Sequence, residues 1–142
     1  MAELLSTLTA ACSFEEEIKK SRFIAHAAPA TNAAAALAFF SEVVDPTATH
    51  NCWAYKTADG YRFNDDGEPG GTAGRPILQA IEGKGLTDVA VLVIRYFGGT
   101  KLGTGGLVRA YGGCAAKCLD AAPKKIIVSS TTVYCTCNYS YA

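Results

Sequence analysis

The sequence predicts a mixed α+β domain, an α/β two-layer sandwich built around one core. Three observations lead there. Val89 to Tyr96 reads VAVLVIRY, a continuous β-branched run suited to a strand buried on both faces. It leads through a glycine-rich loop into Leu107 to Leu119, where apolar residues recur at helical spacing. The 142 residues suit a single hydrophobic core. The apolar fraction is 49%, but much of it is alanine, so Ile, Leu, Val, Phe and Tyr must supply a modest two-layer core.

Taken in order, Ser13 to Lys19 and Ser21 to Ala30 read as strands, the second with Phe23 alternating with smaller residues until Pro29. Asn32 is placed to cap a helix, AAAALAFFSEVV, which Asp45-Pro46 ends. His50 to Lys56 and Tyr61 to Asn64 read as a hairpin turned at Ala58-Asp59-Gly60. Asp65 to Pro76, DDGEPGGTAGRP, has turn formers at nearly every position and no apolar period, so it reads as a long loop, ordered or mobile. A short helix runs from Pro76 to Glu82, with the proline at a permitted first-turn position. Val89 to Tyr96 is the central strand, Gly98 to Gly106 a second glycine loop, and Leu107 to Leu119 a helix. After Pro123, Ile126 to Val128 and Thr131 to Tyr139 read as further strand. The main domain is residues 13–122, and residues 123–142 are a C-terminal extension.

Thirteen basic and thirteen acidic residues cancel, which excludes the strongly basic footprint of a dedicated duplex-DNA binder and leaves only a local patch for nucleic acid. The amino terminus, MAELLSTLTAACSFEEEIKK, lacks a basic start and its apolar run is interrupted, so no secretory signal is read. Nothing later approaches the roughly 18 apolar residues of a membrane span. Six cysteines in such a chain read as reduced thiols, and the expected location is the cytoplasm.

All fourteen glycines lie between Gly60 and Gly113, which marks the middle of the chain as the place where the backbone does unusual work. The loop Gly98, Gly99, Thr100, Lys101, Leu102, Gly103, Thr104, Gly105, Gly106 joins a buried strand to a helix, where free amides and the helix dipole attract anions. Arg95, Lys101 and Arg109 bring three cations into fifteen residues free of Asp and Glu. Tight packing of loop on helix is the alternative. Neither standard phosphate motif fits: Gly103 is followed by Thr104 rather than Lys, and Val108 replaces the third glycine of a dinucleotide loop. No cofactor is therefore assigned, although an amide nest needs no fixed consensus.

Asp65, Asp66 and Glu68 raise a divalent cation, but they are not spaced as a calcium loop, and a solvated turn with Arg62 and Arg75 as partners is the commoner outcome. His50 and Cys52 share one face of a strand, which raises a Cys/His nucleophile pair or half a zinc site. The first needs an orienting group, for which only Glu68 or Asn51 offers itself. The second needs ligand pairs, whereas Cys114/Cys118 and Cys135/Cys137 are spaced like core faces. No metal is assigned. Tyr96, Phe97 and Tyr111 near the basic loop, and Trp53 and Tyr55 on the hairpin, are either core residues or base-stacking platforms.

Four segments, SRFIAHAAP, ATHNCWAY, FNDDGEPGGTAGRPIL and VLVIRYFGGTKLGTGGLVRAYGG, together resemble the signature of the YigZ/Impact family, over about Ser13 to Ala122. The resemblance is to the bacterial YigZ-like branch and implies a ribosomal protein S5 domain 2-like fold, related to a domain of translocation elongation factors. It implies a role in regulation of translation, with RNA, the ribosome or a translation-regulatory protein as partner and no membrane. In the eukaryotic Impact branch the domain follows an RWD domain and dampens starvation signalling. No RWD segment is read before Ser13, so that role carries over weakly. In the bacterial branch a small ferredoxin-like domain follows, and Thr131 to Ala142 resembles its first strand. The family's polar signature falls on His50, Arg62, Asp65, Asp66, Glu68, Thr72, Arg75, Arg95, Lys101 and Arg109. These residues predict a surface cleft where the two glycine loops meet, with Arg75 or Arg62 neutralising Asp65 and Asp66. The expected function is a non-enzymatic binding module. The alternatives are a hydrolase or transferase using His50, Cys52 or the acidic loop, and a pure protein-interaction module.

Overall fold

The computed structural model describes residues 4–128. Along them run β1 (Leu4–Leu8), β2 (Cys12–Ile18), β3 (Ser21–Pro29), α1 (Ala33–Val43), β4 (His50–Thr57), β5 (Gly60–Asn64), α2 (Gly74–Gly83), β6 (Val89–Tyr96), α3 (Gly103–Ala121) and β7 (Lys124–Val128). Strands β2 to β6 build a five-stranded sheet in the order β2-β3-β6-β4-β5. Every neighbouring pair in it is antiparallel. β1 and β7 form a separate antiparallel pair, joined to the rest where Ser6 bridges to Leu86.

β6 is central, as its β-branched run predicts, and every residue but Tyr96 is buried. Its alternate side chains feed two cores. Val89, Val91 and Val93 join Phe23, Ala25, Cys52 and Ala54 under Ile77, Ile81, Leu107 and Tyr111 of α2 and α3. Each large apolar side chain withdrawn there contributes about 1.5–3 kcal/mol. Ala90, Leu92 and Ile94 face the other way and meet Ala36 and Phe40 of α1. The sheet with α2 and α3 makes the two-layer sandwich, and α1 lies across the far side of β6. α1 begins where its sequence says, with the Asn32 side chain accepting from the Ala35 amide at 2.8 Å.

The main differences from the sequence reading are two helix starts and one strand. α3 starts at Gly103, so four residues read as loop, Gly103 to Gly106, form its first turn. Glycine is a poor helix former, by about 1 kcal/mol against alanine, but the buried Leu102 and Leu107 anchor this turn. A Cβ on Gly106 would stand 3.1 Å from that of Leu102. α2 likewise begins at Gly74, two residues before Pro76. β1 precedes the first expected strand, because its pairing partner β7 lies at the other end of the described chain and local pattern does not contain it. Thr131 to Tyr139, read as strand, lies outside the described residues. Among these, no helix is long and apolar enough to cross a membrane.

Candidate functional site

The first glycine loop, 65–73, is ordered by its own polar groups. Asn64 Oδ1 accepts from the Asp66 amide at 2.7 Å, and the Glu68 amide donates to the Asp65 carbonyl at 3.0 Å. Asp66 and Gly67, at the centre of that turn, both have positive φ, 43° and 88°; glycine adopts this readily and aspartate tolerates it. The Asp65 carboxylate then accepts from three amides, Gly71 at 2.9 Å, Ala73 at 3.1 Å and Gly74 at 2.8 Å, closing the loop onto the start of α2. Asp66 Oδ2 accepts from the Asn51 amide at 2.6 Å. Thr72 is buried, and its hydroxyl donates to the Pro69 carbonyl at 2.5 Å.

These bonds correct the expected charge pairing. Asp65 and Asp66 are satisfied by backbone amides, not by Arg62 or Arg75. Arg62 lies over the Trp53 ring, 5.8 Å from its centre, on the far side of the sheet, and Arg75 is exposed on α2. The arginine that meets a carboxylate is Arg95, and the carboxylate is Glu68. Arg95 Nη1 donates to Glu68 Oε2 at 2.8 Å, with side-chain exposures of 6% and 3%. The same oxygen accepts from the Tyr111 hydroxyl at 2.5 Å. Glu68 Oε1 faces His50 Nε2 at 3.5 Å, while His50 Nδ1 donates to the Asp66 carbonyl at 2.7 Å. Arg95 is further held by the Ser21 hydroxyl at 3.4 Å. Strand register makes the cluster possible: Arg95 is directly opposite His50 on one side and Phe23 on the other. Tyr111 is read from the sequence only as a core or stacking residue near the basic loop, and Ser21, which arrives from a strand 74 residues away, has no local signal.

Above this buried cluster the two glycine loops meet in a cleft of about 400 Å³. Its polar lining is Thr49, His50, Glu68, Arg95, Lys101 and Thr104; Pro69, Phe97, Leu102 and Leu107 supply apolar walls. Of the residues singled out from sequence, His50, Glu68, Arg95, Lys101, Gly103 and Thr104 line it. Asp65, Asp66 and Thr72 build the loop beneath, whereas Arg62 and Arg75 stand apart. Arg109 lies on the exposed face of α3, beside a separate groove. Gly98 and Gly99 are exposed and Thr100 half-buried in the connection between β6 and α3. Gly105 and Gly106 belong to the first turn of α3. That turn contains no acidic residue, and Leu102 at its cap position provides no side-chain hydrogen bond.

The aromatic residues divide. Tyr111 is fully buried and meets Phe23 edge-on. Trp53 stacks between Phe40 and Tyr55 on the α1 side. Tyr96 also faces that side, where its hydroxyl donates to Asp45. Phe97 alone of these lines the cleft, 47% exposed.

The chemistry open to the site follows. Cys52 shares its strand face with His50 but is fully buried; its thiol donates to the Asp65 carbonyl at 3.1 Å, and burial pushes it up to about 12. A thiol so held is a poor nucleophile at neutral pH. Burial likewise raises the Tyr111 phenol, which stays protonated as a donor to Glu68. Among the described residues, no three His, Cys, Asp or Glu side chains are grouped to share a metal ion, and the four described cysteines, Cys12, Cys52, Cys114 and Cys118, are free thiols.

With this geometry in hand, the comparisons with known proteins are specific. Residues 19–119 match the model of the Impact N-terminal domain. The chain is 61% identical over 107 residues to an IMPACT family member from Thermus thermophilus, covering 75% of this chain and 59% of that protein. It is 44% identical to an IMPACT family member from Haemophilus influenzae, covering 98% of this chain and 70% of that one. To the IMPACT family member YigZ of Escherichia coli it is 49% identical over 105 residues, 69% of this chain and 52% of that one. A crystal structure of a hypothetical protein superposes with a TM-score of 0.83 at 40% identity, over 89% of this chain and 65% of that one. The chain thus spans between about half and 70% of the length of these relatives. Matching the domain model over most of its described length and closely similar to these proteins, the chain belongs to the IMPACT family through its Impact N-terminal domain.

Proposed function

We propose that this domain is a non-enzymatic, cytoplasmic module of translation that binds single-stranded RNA, free or on the ribosome, through phosphate contacts at the cleft between the glycine loops. The observation that carries the reading is the start of α3. A 19-residue helix begins at the cleft with no acidic residue in its first turn and no side-chain cap, and Lys101 and Thr104 stand beside it. Uncapped amides, the helix dipole and a lysine favour an anionic group. The carboxylate that lines the cleft, Glu68, does not oppose this, because Arg95 already balances it. Arg95 is correspondingly a structural partner of Glu68 rather than a free source of attraction. A thiol hydrolase finds no support in the buried, protonated Cys52.

The test is affinity for single-stranded RNA against salt. Each phosphate contact contributes about 0.7 to the slope of log affinity on log salt, so Lys101→Ala lowers the slope by about that amount in a folded protein. Absence of binding at about 50 mM salt, together with no co-sedimentation with ribosomes, overturns the reading. A ribosomal partner that survives nuclease treatment would point instead to a protein-interaction module.

A further inference from the structure

We infer that the turn between β2 and β3, Lys19-Lys20, is a second phosphate-contact element that continues the cleft into a path for a single RNA strand. This rests on the RNA reading above and adds residues to it that the sequence did not single out.

The turn is chemically odd. Ile18 pairs with Ser21, leaving a two-residue loop in which Lys19 and Lys20 both have positive φ, 47° and 71°. Such a loop is satisfied by Asn-Gly, whereas a lysine meets its own Cβ penalty in the left-handed region. Local energetics therefore do not select lysine at either position, and residues held this way concentrate at functional sites.

The turn is also fixed against the second glycine loop. A Cβ on Gly98 would fall 1.8 Å from the Lys20 carbonyl oxygen, so only glycine permits this approach. The Gly98 amide is 3.4 Å from the Ser21 hydroxyl. Lys19 and Arg109 then line a groove of about 160 Å³ whose wall includes Leu102 and Gly106. Leu102 lines the larger cleft as well, where Lys101 stands. Groove and cleft thus flank one leucine at the start of α3, with cations on both sides of it.

Lys19, Lys20, Lys101 and Arg109 are all exposed, and none of them forms an ion pair among the described residues. Arg22, Lys56, Lys84 and Lys117 do, each with a carboxylate. Four unbalanced cations drawn from three segments onto one end of a chain of zero formal charge form a local positive field. One isolated anion would satisfy only one side of Leu102. A linear polyanion with successive phosphates satisfies both, and a single strand follows two small concavities better than a rigid duplex does.

The experiment uses a fluorescently labelled single-stranded oligouridylate, titrated from about 50 to about 300 mM salt. Lys19→Asn/Lys20→Gly removes both charges while supplying the residues the turn prefers. Its melting temperature should hold or rise, while the log-log slope falls by about 1.4, two contacts at about 0.7 each. Lys19→Gln/Lys20→Gln, which removes the charges but keeps an unbranched polar side chain, should lower the slope equally. Lys125→Gln, beyond the C-terminal end of α3 and about 28 Å along that helix, should leave it unchanged. Unchanged slopes in both turn variants, with Lys101→Ala still lowering its own, overturn this inference and leave the RNA reading standing. Equal displacement of the RNA by oligoglutamate overturns the assignment to RNA in favour of an acidic protein surface. No binding by the unaltered protein overturns this inference, and the RNA reading with it when co-sedimentation with ribosomes is absent too.

Discussion

Truncating Glu68 is the sharpest perturbation this fold allows. Its carboxylate is 3% exposed and Arg95, its partner, 6%; it also accepts from Tyr111 at 2.5 Å. Glu68→Ala leaves a buried guanidinium whose one remaining hydrogen-bond partner among the described residues is the Ser21 hydroxyl at 3.4 Å, and a buried phenol without its acceptor. Removing one partner of a buried pair costs about 3–5 kcal/mol. Against a total stability of about 5–15 kcal/mol, that is a large share, and at about 2–4 °C per kcal/mol the melting temperature should fall by about 6–20 °C. Urea unfolding followed by the single tryptophan, Trp53, reads the loss directly, provided the denaturant slope is unchanged. Glu68→Gln should lose less, since the amide oxygen still accepts a hydrogen bond. Glu68→Leu/Arg95→Met should recover most of the loss, because replacing both members with apolar groups removes the orphaned charge. A loss under about 1 kcal/mol in Glu68→Ala would match an exposed ion pair and would refute the account of a buried cluster beneath the cleft.

Three further outcomes are expected. Asp65→Ala removes an acceptor shared by three amides and should destabilise by about 1–2 kcal/mol, the upper range for a lost helix cap; an unchanged urea midpoint would show that water replaces it freely. Gly98→Ala places a methyl group 1.8 Å from the Lys20 carbonyl oxygen, so the turn and loop must separate, at a cost of about 1–3 kcal/mol or more; Gly99→Ala, tested beside it for melting temperature, meets no neighbour, although its φ of +93° adds strain of its own. The Cys52 and Cys114 thiols are pushed from 9.0 up to about 12, burial being the largest cause. Between those values the unfolded chain has lost protons that the folded chain keeps. Stability present below about pH 9 is therefore lost as pH rises toward 12, by up to about 1.4 kcal/mol per pH unit for each thiol. Cys52→Ala should flatten the decline between about pH 9 and pH 11 in urea titrations, and identical slopes would rule the thiol out as a contributor.

Some of this protein was legible in its sequence because the information is local. The run Val89 to Tyr96 has no polar face and so had to be an interior strand. Asn32 ahead of an alanine-rich helix announced its cap. The turn formers of Asp65 to Pro76 announced a loop, and the repeated glycines near Lys101 announced the place where it would meet another. What the tertiary structure decided was which groups satisfy one another. Asp65 and Asp66 looked for arginines in the sequence reading but found backbone amides, those of Gly71, Ala73 and Gly74 for Asp65 and that of Asn51 on β4 for Asp66, partners that require no long side chain to be ordered. Arg95 found Glu68 because the order β3-β6-β4 sets it between Phe23 and His50, and strand order is not written in any single segment. β1 takes its strand ladder from β7, at the far end of the described chain. Gly103 to Gly106 became helix because Leu102 and Leu107 are buried against other elements. Lys19 and Lys20 joined the cationic end of the molecule only once Gly98 had been pressed onto their turn. Pattern along the chain determined the elements and the residues worth watching; the register between distant strands, where each buried charge must find a partner or lose its hydration uncompensated, determined the site.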